Sequence, residues 1–94
     1  MLRFEWDEQK NTLHRTKHGI WFEEAMTAFE DPGARTYFDP EPSTDEDRYI
    51  LLARSSASRL LVVVHCYRES DSIVRIISAR KATRRDRNHY EKRI

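Results

Sequence analysis

Ile73-Val74-Arg75-Ile76-Ile77-Ser78-Ala79-Arg80-Lys81-Ala82-Thr83-Arg84-Arg85-Asp86-Arg87-Asn88-His89-Tyr90-Glu91 reads as a strand that runs straight into a helix. The apolar run closes at Arg80. Thr83 with Asp86 three residues later has the pattern of a capping box, in which each side chain satisfies the other residue's backbone N–H, so the helix begins near Thr83. From Arg80 to Ile94 seven Lys or Arg stand against two acids, a local charge of +5 in a chain whose total is +1. Residues 1–79 therefore sum to −4. A positive end of this kind is a surface for a polyanion or an acidic partner.

Upstream, Arg59–Tyr67 and Arg48–Ala53 read as two further strands, joined through Arg54–Ser58 and Arg68–Ser72, short polar connections that suit antiparallel hairpins. Leu60 to Val64 is apolar without alternation, as a central strand covered on both faces should be. Arg35–Phe38 is a fourth, shorter strand. Between it and Arg48 lies an acidic loop, Asp39–Asp47, with Asp39, Glu41, Asp45, Glu46 and Asp47, two prolines and no base. Phe22, Ala25, Met26 and Phe29 fall at i, i+3, i+4 and i+7, one helical stripe, which Asp31-Pro32-Gly33 stops. Before it, Asp7 caps a helix from Glu8 to about Lys17 that Gly19 ends in a left-handed position. Leu13 is the only aliphatic residue of that helix, so it should lie on the surface, and Phe4-Glu5-Trp6 is a strand-like entry to it. The expected fold is α+β: one domain over residues 1–94, two N-terminal helices packed on a roughly four-stranded antiparallel sheet, and a C-terminal basic helix.

Ninety-four residues, 38% apolar and 35% charged, suffice for one small core under a heavily charged surface. The lone Cys66 sits in the apolar run and reads as a core thiol of a reducing compartment. No stretch approaches the ~20 apolar residues of a membrane span. The charged start Met1-Leu2-Arg3-Phe4-Glu5 is unlike a signal peptide, so a soluble cytoplasmic protein is expected. Two glycines leave no glycine-rich phosphate loop, and neither a Ser/His/Asp set nor a cysteine nucleophile is present. His14 and His18, four apart, have the spacing of metal ligands but no third partner, so no metal or cofactor is called for.

The candidate chemical groups are therefore basic and aromatic. Lys17-His18 at a helix C-terminus either complements the dipole or supplies acid–base chemistry. Arg80, with Arg75 and Arg68 from the same hairpin, either balances the acidic loop or grips phosphate, for which the guanidinium fork is suited. Arginines outnumber lysines thirteen to four. Tyr90, with His89 and Glu91 beside it, offers a ring for base stacking and ionisable groups for proton transfer, or is half-buried packing. His65 reads as a satisfied core histidine, and Trp6, Trp21 and Phe22 as core aromatics.

Taken in order, Phe4-Glu5-Trp6-Asp7, Lys10, Lys17-His18-Gly19-Ile20, Phe22-Glu23-Glu24-Ala25, Phe29-Glu30-Asp31-Pro32, Asp47-Arg48-Tyr49-Ile50, Arg59 with Leu61-Val62-Val63-Val64, and Arg75-Ile76-Ile77-Ser78-Ala79-Arg80-Lys81-Ala82 with Tyr90-Glu91 resemble the BrnT toxins of bacterial type II toxin–antitoxin systems. The resemblance covers nearly the whole chain. It implies a RelE-like fold, a metal-independent endoribonuclease that stops translation, and a cognate antitoxin of the BrnA type, a ribbon-helix-helix DNA-binding protein that neutralises the toxin in a hetero-oligomer. By carry-over the functional positions are Lys17, His18, Arg59, Arg68, Arg80 and Tyr90; Arg75, Lys81, Arg84 and Arg85, cations of the same basic end, are expected to bind RNA beside them. In that assignment His18 moves protons, Arg80 and Arg68 hold the phosphate, Lys17 and Arg59 add field, and Tyr90 stacks. The chain departs from the family at His14, where Asn is usual, at Ala53, where Gly is usual, and at Tyr67, where Glu is usual. The rival reading is a non-catalytic basic module that acts as partner or co-repressor of a DNA-bound regulator. A metal-binding regulator built on His14 and His18 is a third.

Overall fold

Residues 2–40 and 46–92 are described by a computed structural model of the chain. In order they form β1 (Arg3–Glu5), α1 (Glu8–His18), α2 (Phe22–Thr27) continuing into a 3-10 turn (Ala28–Glu30), β2 (Arg35–Asp39), β3 (Arg48–Arg54), β4 (Leu60–Arg68), β5 (Ile73–Lys81) and α3 (Arg84–Glu91). The caps fall where the sequence places them. Asp7 accepts from the Gln9 N–H at 2.8 Å, Gly19 adopts φ +72° and closes α1 on the Arg15 carbonyl, and Thr83 and Asp86 form the capping box of α3. Of the acidic loop, residues 41–45 lie outside the described residues, while Asp39 ends β2.

Among the described residues the sheet has five strands, in the order β1-β5-β4-β3-β2, and it is mixed. The expected four-stranded antiparallel sheet is corrected by β1, which pairs parallel to β5 with Phe4 opposite Val74. Three residues are too few to show a period, and their partner lies most of the chain away. The other pairs are antiparallel. β5 also runs on to Lys81, so Arg80 is inside the strand rather than at its end.

The central strand is covered on both faces. Leu61 and Val63 pack with Ile20, Phe22 and Ala25 under the N-terminal helices, and Leu60 and Val62 pack with Leu52, Ala82 and Tyr90 under α3. α1 docks through a polar residue: buried Asn11 accepts from the Phe22 N–H at 2.7 Å and donates to Glu23 at 2.9 Å. Leu13 is left exposed. Trp21 corrects the core reading, being 45% exposed with the Arg15 guanidinium over its ring. His65 is fully buried, and its Nδ1 lies 3.3 Å from the Val63 carbonyl. Its Nε2 has no hydrogen-bond partner among the described residues, so it is only half satisfied.

One irregularity sets which side chains face which way. Val64 pairs with Ser78 but the next residue, His65, pairs with Ile76, so Ile77 is an extra residue in β5. Such a bulge reverses the alternation beyond it. Arg75 opposes Cys66 and Arg80 opposes Val62, and both therefore project from the α3 side of the sheet although they are an odd number of positions apart.

Candidate functional site

Between α3 and the open part of this face lies a cavity of about 270 Å³, lined by Tyr37, Ile50, Leu52, Val62, Arg80, Asp86 and His89. β2, β3 and β4 supply the ring and the aliphatic floor, β5 supplies the cation, and α3 the acid and the imidazole. The volume is at the small end of small-molecule sites, suited to a single planar group. Arg80 Nη1 donates to Asp86 Oδ2 at 2.8 Å. Burial opposes ionisation of Asp86, but hydrogen bonds from Thr83 and Arg80 outweigh it and hold the carboxyl below the ordinary carboxylate range. Arg80 remains 43% exposed in its side chain, so the guanidinium can reach a second anion.

Farther along the same face, Arg75 donates to Glu5 Oε2 at 2.6 Å. Arg68 lies 3.7 Å from that oxygen and donates to Glu46 at 2.9 Å. These two arginines come together as the hairpin predicts, around an acid of β1 that fixes their spacing. Tyr90 does not line the cavity. Its hydroxyl donates to Asp31 Oδ2 at 2.7 Å, and the Arg54 guanidinium lies over its ring, 5.5 Å from the centroid. Asp31 also accepts from the Arg54 N–H at 2.7 Å and the Gly33 N–H at 2.8 Å. Burial pushes its carboxyl up, but these donors together with the Tyr90 hydroxyl bring it below its usual value. A Cβ on Gly33 would sit 3.0 Å from the Tyr90 oxygen, so a larger residue there would press on the hydroxyl that binds Asp31.

A second set of cations gathers at the hairpin end of the sheet, on the α1 side. Lys17 and His18 end α1, and the Arg59 guanidinium donates to the adjoining Gly19 carbonyl at 3.2 Å. Arg59 also donates through Nε to Glu24 Oε2 at 2.9 Å and through Nη2 to Oε1. Ser55 Oγ donates to Glu24 at 2.6 Å. Hydrogen bonding to Arg59 outweighs burial and holds the Glu24 carboxyl low, with Lys81 adding a weaker field. His18 lies against the ring of His14, at 5.5 Å between centroids. Arg84 and Arg85 open α3 and are exposed.

One family's sequence model, described as the ribonuclease toxin BrnT of type II toxin–antitoxin systems, matches residues 6–86. The chain belongs to the BrnT ribonuclease-toxin family. The crystal structure of the Brucella abortus ribonuclease toxin BrnT is similar in fold, with a TM-score of 0.66 at 19% identity, over 89% of this chain and 100% of that one. No curated protein matches the sequence.

In this BrnT-family chain the residues singled out from sequence fall into three groups rather than one. Arg80 lines the cavity; Arg68 and Arg75 share its face; Lys17, His18, Arg59 and Lys81 stand at the hairpin end. Tyr90 is engaged in holding α3. The departures His14, Ala53 and Tyr67 all lie on the α1 side: His14 against Phe22, Ala53 in the core, and Tyr67 against His65. None lines the Arg80 cavity. Sequence reasoning missed Tyr37 as a lining residue. His89 was visible there only as an ionisable neighbour of Tyr90; its place on the cavity wall follows from its position three residues after Asp86, on the same helical face.

Proposed function

We propose that the chain is the toxin of a type II pair, an endoribonuclease that cuts RNA without a metal ion and so inhibits translation. The Arg80 cavity carries this reading. It joins an apolar floor and the Tyr37 ring, which suit a nucleobase, to a guanidinium that suits the adjoining phosphate. Arg68 and Arg75 extend the cationic face, and Arg84 and Arg85 flank it. Lys17, His18, Arg59 and Lys81 add field where the strand leaves the sheet. The chemistry is attack of a 2′-oxygen on phosphorus, leaving a 2′,3′-cyclic or 3′-phosphate end. A BrnA-type ribbon-helix-helix antitoxin neutralises it in a hetero-oligomer by covering the Arg80 face, and the pair works in the cytoplasm.

The test is purified protein incubated with RNA in EDTA. Cleavage with cyclic or 3′-phosphate ends is expected, and Arg80→Ala should slow it by ~10²–10³-fold, as for loss of one oxyanion donor. Intact RNA in the presence of folded wild-type protein would count against the activity. Cleavage that needs an added divalent ion would count against metal independence.

A second reading, the non-catalytic basic module, is favoured by one observation: Arg59, Arg68 and Arg75 are already paired with Glu24, Glu46 and Glu5. It requires that the chain bind an acidic or DNA-bound protein partner and cut nothing.

A further inference from the structure

We infer that His89 is the general acid of this ribonuclease, donating the proton to the departing 5′-oxygen from the wall of the Arg80 cavity; the inference rests on the ribonuclease reading above. His89 lies one turn beyond Asp86 on α3 and shares the cavity with Arg80. It is also the boundary to a second hollow of about 250 Å³, formed with Arg85, Asn88 and Lys92. A strand whose phosphate rests on Arg80 therefore passes the imidazole as it leaves toward Arg85 and Lys92. His18 lacks this placement. It ends α1, which packs through Asn11 and Phe22 on the other side of the sheet.

The turn that carries His89 is held from three sides. The Tyr90 hydroxyl is bound to Asp31, Arg54 stacks on the Tyr90 ring, and Arg35 donates to the Tyr90 carbonyl at 3.4 Å and to the Lys92 carbonyl. An exposed helix gains little from so many anchors at its last turn unless that turn must be placed. Fixed geometry is what a proton donor needs, since transfer requires hydrogen-bond reach to one oxygen.

The step balances without any further reactant. The 2′-oxygen bonds to phosphorus and its proton passes to water. The bond from phosphorus to O5′ breaks, and O5′ takes the proton of the His89 imidazolium. The imidazole is recharged from solvent. The products are a 2′,3′-cyclic phosphate and a 5′-hydroxyl.

A sulfur in place of the bridging O5′ leaves without protonation and separates this role from a structural one. An RNA oligonucleotide that the wild-type protein cuts is made with oxygen or sulfur at the scissile link. His89→Gln should slow cleavage of the oxygen form by ~10²–10⁴-fold and cut the sulfur form within about tenfold of wild type, as for loss of a positioned acid. Arg80→Ala should slow both forms. Equal slowing of both forms by His89→Gln, wild-type rates on both, or sulfur rescue in His18→Gln instead would overturn the assignment. Failure of the folded wild type to cut any RNA would overturn the ribonuclease reading itself. Full activity of Arg80→Ala would move the reaction out of this cavity, and His89 with it.

Discussion

Asp31 gathers the Tyr90 hydroxyl and two backbone N–H groups on one carboxylate, so Tyr90 has a structural task that its place near the C-terminus does not announce. Tyr90→Phe should cost about 1.5–3 kcal/mol in urea unfolding, the range for a hydrogen bond to a charged group, and should slow cleavage per folded molecule less than His89→Gln does, since Arg35 and Arg54 still hold the turn. The folded state holds the Asp31 carboxyl below its ordinary 3.8. Its contribution is therefore present above that value and lost as pH falls through the lower folded one. Tyr90→Phe should weaken this acid-side loss. His65 acts at higher pH. Burial pushes its imidazole below the ordinary 6.5. The unfolded chain takes up a proton as pH drops through that value while the folded chain resists, so stability should decline from there toward the lowered folded value. Urea midpoints at neutral and mildly acidic pH should diverge in wild type and converge in His65→Phe. The core burial of Phe22, Leu61 and Cys66 could be read from sequence, because apolarity is a property of single residues. The partnership of Arg59 with Glu24 could not: the two are thirty-five positions apart, and either alone looks like a surface charge.

The elements show where sequence reading works and where it stops. β3, β4 and β5 were readable from their own composition and short connections. The side from which Arg80 projects was not, because strict alternation from Arg75 puts it under the N-terminal helices, and only the extra residue Ile77 returns it to the face of α3. The capping box of α3 was visible as a helix start. Its second use was not: the same Asp86 oxygen accepts from the Thr83 N–H at 2.8 Å and from Arg80 at 2.8 Å. Asp86→Asn keeps an acceptor for the cap but removes the charge that competes with phosphate for Arg80. The variant should lose about 1 kcal/mol of stability, as for a weakened cap. It should also bind single-stranded RNA more tightly than wild type, measured by fluorescence anisotropy.

Across the whole molecule the charge is divided, with +5 on the last fifteen residues and −4 on the rest. Polyanion binding should therefore be oriented and sensitive to salt. Since Arg68 and Arg75 already share Glu5, they should contribute less counter-ion release than free cations. The slope of log affinity against log salt should be about −2 to −3, the equivalent of about three to four phosphates on a single strand. A slope near zero would show that the basic end takes no part in RNA binding. On the proposed reading, an antitoxin that silences this chain would meet the same charge with acids while reaching the apolar floor of the cavity, since surface ion pairs alone are weak.

The parallel pairing of β1 with β5 also bears on how the molecule comes into being. Glu5 leaves the ribosome seventy residues ahead of its partner Arg75. Until Ile73–Arg75 emerges, the first strand has nothing to pair with and the sheet lacks one edge. The Arg80 cavity also waits on α3, which is made later still. A nascent chain that has not yet made α3 lacks the Arg80 cavity, so a protein whose proposed target is translation gains that site only once its final strand and helix of the fold have been made.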